Sequence, residues 1–268
     1  MYEFDYRRAA SVDDAVSALR ASPDAKIIAG GMTLLPTCKM RLAQPSQLVD
    51  LGRLDALKGI EIGDASVTIR AMTRHADVAA SADLRRALPA LAGLAAGIGD
   101  AQVRNRGTIG GSVANNDPAA DYPSACLALG ATIVTDRREI AADDFFQGLF
   151  QTALAEDEII VAIRFPRPVA AAYEKFKNPA SRYATVGVFV ARSASGIRVA
   201  VTGAGENGVF RATAIEAALQ GSFTSDAAAA IRVSPNGLAS DFHGSAEYRA
   251  HLIPVLAARA VQTCLSQA

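Results

Sequence analysis

Two pairs of adjacent glycines, Gly30-Gly31 and Gly110-Gly111, constrain this chain more than any other feature of its sequence. Glycine loses more freedom on folding than any other residue, so a doubled glycine belongs where backbone must bend or approach something closely. Without Cβ atoms, successive backbone N–H groups can point into one hollow and hold an anion. The first pair lies in Ile28-Ala-Gly-Gly-Met-Thr-Leu-Leu35, directly after an apolar strand at 26–29, and Thr33 adds a hydroxyl donor. Taken alone, this run is most simply a tight turn.

The second pair lies in Gly107-Thr-Ile-Gly-Gly-Ser112, with Asn115-Asn116-Asp117 and Asp121 following. The stretch 103–118 is too rich in glycine and asparagine for a regular element and reads as a long irregular loop, functional or mobile. It offers a second N–H hollow, and a carboxylate close behind it suits a sugar diol as the N–H groups suit a pyrophosphate. A third cluster, Gly203-Ala-Gly-Glu-Asn-Gly208, spells G-x-G-x-x-G, but no apolar strand ending in an acid follows about 20 residues on. Asn207-Gly208 is a hairpin dipeptide, so this run is expected to be a turn.

Around the loops, strands and helices alternate. Ser11 is expected to cap a helix over 12–20, and Thr73 one over His75–Ala80. Further helices are expected at 84–97, 123–129, 212–219, 225–231 and 245–266. Strands are expected at 48–51, 60–62, 67–70, 131–135, 158–165, 173–176, 186–191 and 197–202. The hairpin-like pairs argue for α+β rather than a doubly wound sheet. Pro166-Arg-Pro168 is the best candidate linker, dividing the chain into 1–167 and 168–268.

With 27 basic and 27 acidic residues in 268, the chain has no global field to gather nucleic acid, and its half-apolar composition predicts a sizeable core. Cys38, Cys126 and Cys264 form no CxxC, which argues against a disulfide framework, a structural zinc or a chain-borne iron–sulfur cluster. They read as buried small hydrophobes. The N-terminus lacks an apolar signal core, and the greasiest stretch is about half the roughly 20 residues that cross a bilayer. A soluble, cytoplasmic protein is expected. His75, His243 and His251 have no ligand spacing and read as surface or cap residues. Arg104 and Arg106 read as a solvated pair or a docking patch, and Asp121 as a sugar ligand or a helix cap.

Ala29-Gly-Gly-Met-Thr-Leu-Leu-Pro36, Arg106-Gly-Thr-Ile-Gly-Gly-Ser112 and Asp117-Pro-Ala-Ala-Asp-Tyr-Pro123 together resemble the FAD-binding medium subunits of molybdenum hydroxylases. This is the carbon monoxide dehydrogenase, xanthine dehydrogenase and aldehyde oxidoreductase group. Tyr173-Glu-Lys-Phe-Lys177, Arg182-Tyr-Ala-Thr-Val186 and Ser245-Ala-Glu-Tyr-Arg249 extend the likeness over essentially the whole chain. The resemblance implies a two-lobed, PCMH/vanillyl-alcohol-oxidase-like FAD-binding domain, with lobes at about 1–52 and 53–167. A C-terminal domain of three antiparallel strands and a helical bundle would follow.

By the same resemblance, Ala29, Gly30, Gly31, Met32, Thr33 and Leu34 would hold the pyrophosphate, with Thr108, Gly110, Gly111 and Ser112 approaching from the other lobe. Asp121 would accept from a sugar hydroxyl, and Ile160 would pack on a ring. Lys177 and Lys175 would lie near the cofactor edge, and Tyr183 by the isoalloxazine. Met32 and Ser112 replace the family's frequent histidine and asparagine. The implied function is non-covalent FAD carriage in a heterotrimer, commonly a dimer of heterotrimers. Electrons would arrive from a [2Fe–2S] subunit, a molybdopterin subunit would hold the substrate, and an external acceptor would receive the electrons. No Ser–His–Asp, HExxH or paired-carboxylate arrangement stands out, in keeping with chemistry that belongs to a cofactor. A stand-alone flavin-dependent oxidoreductase and a scaffold that has lost FAD are the alternatives.

Overall fold

The structure, a computed structural model, describes residues 1–267. Strands β1 (Asp5–Arg8), β2 (Lys26–Ile28) and β3 (Gln47–Asp50) form a parallel sheet in the order β1-β3-β2. Parallel neighbours need crossovers. Helices α1 (Val12–Ala21) and α2 (Leu34–Lys39) lie in the two connections. As expected, Ser11 caps α1, its hydroxyl accepting the Asp14 N–H at 3.0 Å, and α1 buries Ala15, Val16, Ala18 and Leu19. All four residues of β1 are exposed, so no apolar alternation announces that strand.

Next come the hairpin β4 (Ile60–Ile62) and β5 (Ser66–Arg70), then six helices. They are α3 (His75–Ala80), α4 (Ala82–Ala87), α5 (Pro89–Ala96), α6 (Ala101–Arg106), α7 (Ile109–Asn115) and α8 (Tyr122–Leu129). The chain continues through β6 (Thr132–Thr135), β7 (Glu139–Ala141), α9 (Ala142–Phe145), the short hairpin β8 (Phe146–Gly148) and β9 (Gln151–Thr152), and β10 (Ile160–Pro166). The sheet β4-β5-β10-β6-β7 is antiparallel, and Ile69, Ile133, Ile163 and Phe165 share one core with Leu91, Leu94 and Tyr122 of the helices.

Three expectations are corrected here. The helix expected over 84–97 breaks at Leu88, because Pro89 lacks the N–H that would continue it and instead opens α5. The stretch 103–118 is not one irregular loop; most of it is helical. Asp100 caps α6 through the Val103 N–H at 2.9 Å, and Thr108 caps α7 through the Gly111 N–H at 3.2 Å. Gly110 lets α7 lie against Ala71, where an added methyl would come within 2.6 Å of Ala71 Cβ. Thr73 caps nothing; its hydroxyl bonds both the N–H and the carbonyl of Gly59 at 3.0 Å, and α3 starts without a side-chain cap.

Strands β11 (Ala170–Lys177), β12 (Ala184–Ser193), β13 (Gly196–Thr202) and β14 (Phe210–Arg211) form the last antiparallel sheet, one two-residue strand beyond the three expected. The run from Gly203 to Gly208 is the turn between β13 and β14. Helices α10 (Thr213–Gly221), α11 (Ser225–Ala229) and α12 (Ala246–Ser266) follow. Val186, Val188 and Val190 of β12 join Ile253, Leu256 and Val261 of α12 in one core, while Phe189 and Ala191 join the preceding core. Period-two alternation thus glues this sheet on both faces. Cys38, Cys126 and Cys264 are buried and free, and no helix among the described residues is long and apolar enough to cross a membrane.

Candidate functional site

A cleft of about 670 Å³ opens where the loop after β2, the α5–α7 segment and the β11–β12 loop converge. The two glycine loops meet there. A methyl on Gly30 would run into the Arg106 carbonyl, and one on Gly111 would stand 3.5 Å from Ala29 Cβ. Gly31 takes φ +72°, a conformation that L side chains resist.

The two loops differ in what their donors do. The backbone N–H groups from Gly30 to Leu34 donate to no acceptor among the described residues. Consecutive unspent donors of this kind form an anion-binding nest. In the second loop, the Ile109 N–H goes to the Thr73 carbonyl at 3.1 Å, Gly110 to the Ala71 carbonyl at 2.8 Å and Ser112 to the Thr108 carbonyl at 3.0 Å. The second hollow expected there is therefore absent, because the carbonyls of Thr73 and Ala71 take the first two donors and the Thr108 cap and carbonyl take the next two. What this loop presents is bare, close-packed backbone and the Ser112 hydroxyl, which has no protein partner among the described residues.

Asp121 is buried at the cleft wall. Its carboxylate accepts the Tyr173 hydroxyl and lies 3.0 Å from Lys175 Nζ, which also donates to the Gly97 carbonyl at 3.0 Å. Burial pushes the Asp121 carboxyl above its ordinary range, with Lys175 and Tyr173 pulling the other way. The side chain does not cap α8. Lys175 therefore sits behind Asp121, and neither Lys175 nor the exposed Lys177 lines the cleft. Ile160 is buried in the wall, whereas Met32 and Tyr183 stand exposed at the rim. Tyr183 is half-exposed, and partial desolvation of its hydroxyl, then Asp117 and Asp121, raises the pKa of that group.

Other residues were missed in the sequence. Phe150 overhangs the cleft with φ +55°, its N–H donating to the Asn116 carbonyl at 3.2 Å. The Asn116 side-chain amide donates to the carbonyls of Gly148 and Gln151, each at 2.8 Å, and so pins the hairpin that carries Phe150. His75, read above as a surface or cap residue, is 4% exposed and lines the cleft. Burial, then Arg104, lowers its pKa to about 4. Arg104 is no solvated docking group: it donates to the carbonyls of Ile98 and Gly99 at 3.0 Å and shapes the turn on the cleft wall. No local pattern marks Phe150, Asn116 or His75, since each takes its role from chain distant in sequence, whereas Arg104 acts on the turn just before its own helix.

The donor set suits a dinucleotide. A nest fits a diphosphate, a buried carboxylate fits a sugar hydroxyl, and Ile98, Ile160, Phe150 and Tyr183 offer apolar surface to flat rings. A family model described as "FAD binding domain in molybdopterin dehydrogenase" matches residues 2–168, and one described as "CO dehydrogenase flavoprotein C-terminal domain" matches residues 171–264. The chain belongs to this family of FAD-binding oxidoreductase subunits of the molybdenum hydroxylases. Within it, the chain is similar to the carbon monoxide dehydrogenase medium chain of Hydrogenophaga pseudoflava, 37% identical over 274 residues and covering 96% of both chains. The nicotine 6-hydroxylase medium subunit of Paenarthrobacter nicotinovorans is 40% identical over 271 residues, covering 96% of this chain and 95% of that one. Among solved structures, reconstituted CO dehydrogenase from Oligotropha carboxidovorans superposes with a TM-score of 0.91 at 35% identity, covering 100% and 99% of the two chains. The resemblance read from the sequence therefore holds, and FAD is the family's cofactor.

Proposed function

We propose that this chain is the electron-transferring FAD subunit of a cytoplasmic three-subunit molybdenum hydroxylase, assembled as a dimer of heterotrimers. It takes electrons from a [2Fe–2S] subunit and passes them to an external acceptor, while substrate is oxidised on a molybdopterin subunit. Residues 1–167 form the cofactor-holding domain and 168–268 a second domain that closes over it. Bound FAD supplies the reversible redox chemistry.

The protein's part is to bind, orient and exclude water. The backbone from Ala29 to Leu34 and the Thr33 hydroxyl hold the diphosphate, with Gly110, Gly111 and Ser112 closing from the opposite side. Thr108 acts by capping α7, so that the bare backbone of Gly111 stays at the cleft. Asp121 accepts a sugar hydroxyl with its remaining lone pairs, and Lys175 positions it. Ile160 and Tyr183 cover ring faces, and Met32 lies at the rim.

The observation that supports this reading most is that the residues with unspent N–H groups, Gly30 to Leu34, line the same cleft as Ser112. The purified chain is expected to carry, or to take up, FAD that is released on denaturation. A colourless chain that cannot be reconstituted would overturn the proposal. Co-purification with iron–sulfur and molybdopterin chains tests the assembly separately, and an isolated chain that turns over substrate by itself would point to a stand-alone oxidoreductase.

A further inference from the structure

His75 opens α3, lines the cleft and packs against the fully buried ring of Tyr122, with ring centroids 5.4 Å apart. Its Nδ1 is buried with no partner, and no hydrogen bond to either ring nitrogen exists among the described residues. A polar ring buried in this way is unfavourable unless something from outside the protein satisfies it. Its position says what that is. A methyl on Gly107 would come within 2.6 Å of His75 Nε2, and Gly107 Cα is 2.8 Å from where a Gly30 methyl would stand. His75 thus adjoins, through one glycine, the start of the unspent N–H run.

We propose that His75 donates through Nε2 to the diphosphate of the dinucleotide in this cleft, and that the ligand's negative charge draws a proton from solvent onto the imidazole as it binds. The proposal rests on the FAD reading above. The charged surroundings of the ring favour this coupling. Helix α5 carries no charged residue, and on α4 Asp83, Arg85 and Arg86 are exposed, as are Arg74 and Asp77 beside His75 itself. Helix α8 contributes Tyr122 and Cys126, with Asp121 at its start, and α6 contributes Arg104 and the exposed Arg106. Without ligand, burial and Arg104 keep the imidazole neutral. An incoming anion supplies the counter-charge that this environment lacks, which favours the protonated ring.

Calorimetric titration of the full chain with FAD, in buffers of differing ionisation heat between about pH 5 and 8, reads the proton directly. Uptake of a substantial fraction of one proton per FAD is expected near the acid end, fading toward the alkaline end. The Kd should tighten about tenfold or more as pH falls across that range. Asp117 and Asp121, whose carboxyls burial also raises, are competing sources of uptake. His75→Gln separates them: it should bind FAD with little proton uptake and a nearly flat pH dependence, whereas His243→Gln should behave as the wild type. Should His75→Gln fail to fold, 15N ring resonances of wild-type His75 are expected to move from neutral to imidazolium values when FAD is added. A wild type that binds FAD with a pH-independent Kd, or with unmoved His75 resonances, overturns this inference and leaves the cofactor reading standing. A wild type that binds no FAD overturns both.

Discussion

Gly30 and Arg106 meet with no room for a side chain between them: a methyl on Gly30 would run into the Arg106 carbonyl and come within 2.8 Å of Gly107 Cα. This contact welds the loop after β2 to the end of α6 and brings the two glycine pairs to one cleft. Backbone on both sides cannot yield as a flexible side chain would. Gly30→Ala is therefore expected to cost about 1–3 kcal/mol by overpacking. Thermal unfolding should show a fall of roughly 2–10 °C for a chain of this size. An unchanged melting temperature would mean that the two loops are not in contact.

Gly111 is the complementary case. A Cβ there would meet the Thr108 hydroxyl at 2.9 Å and Ala29 Cβ at 3.5 Å, so it crowds a movable cap and the gap between the loops rather than rigid backbone. Gly111→Val should leave the far-UV spectrum intact, cost about 1 kcal/mol through the disturbed cap, and weaken FAD binding by roughly tenfold or more. Retained affinity would count against the diphosphate assignment.

Asn116 holds the left-handed conformation at φ +44° while its side chain ties down two carbonyls of the β8–β9 hairpin. Asn116→Ala removes both bonds and places alanine where it is strained. The expected cost is about 2–4 kcal/mol. Hydrogen exchange should quicken over 146–152 before anywhere else. Asn116→Gly, which accepts the conformation, should recover about 1 kcal/mol of that loss.

Lys175 is the ion partner of a buried acid. With its carboxyl raised by burial, Asp121 binds its proton more tightly in the folded chain than in the unfolded one. Its ionisation therefore subtracts stability as pH rises through the raised value. Removing Lys175 raises that value further. Lys175→Met should cost about 3–5 kcal/mol near neutrality, and the deficit should shrink on acidification as Asp121 protonates. Urea unfolding at several pH values checks this, and a deficit independent of pH would refute the pairing.

His75 titrates in the opposite sense. Its pKa falls from 6.5 to about 4 on folding, so between those values the unfolded chain binds more protons and stability climbs with pH. That climb amounts to about 3 kcal/mol at 1.36 kcal/mol per pH unit. His75→Gln should flatten the acid limb of the FAD-free chain's stability curve by about that much; an unaltered limb would place His75 in solvent.

Local chemistry made several elements readable. Ser11 marks a helix start because a hydroxyl before an apolar periodic run has an orphan N–H to accept, and it does so; the helix expected from 245 opens one residue later, with Ser245 as its cap. The alternating strand β5, the apolar runs of β12 and β13 and the hairpin dipeptide Asn207-Gly208 were readable from equally local patterns. The 103–118 stretch was not, because its glycines looked like breakers. Their lack of side chains is instead what allows α7 to pack on Ala71, a residue no local window contains. His75 was misread for a like reason: the helices that bury it, α5, α6 and α8, are contributed from beyond its own turn.

The sequence by itself determined the family, the α+β class and the two places where backbone has to come close to something. Only the tertiary structure decided which of those places keeps its donors free. A backbone N–H is available to a ligand when no carbonyl reaches it, and that depends on chain folded in from elsewhere. Ala71 supplies such a carbonyl to Gly110, while none among the described residues reaches the run that begins at Gly30.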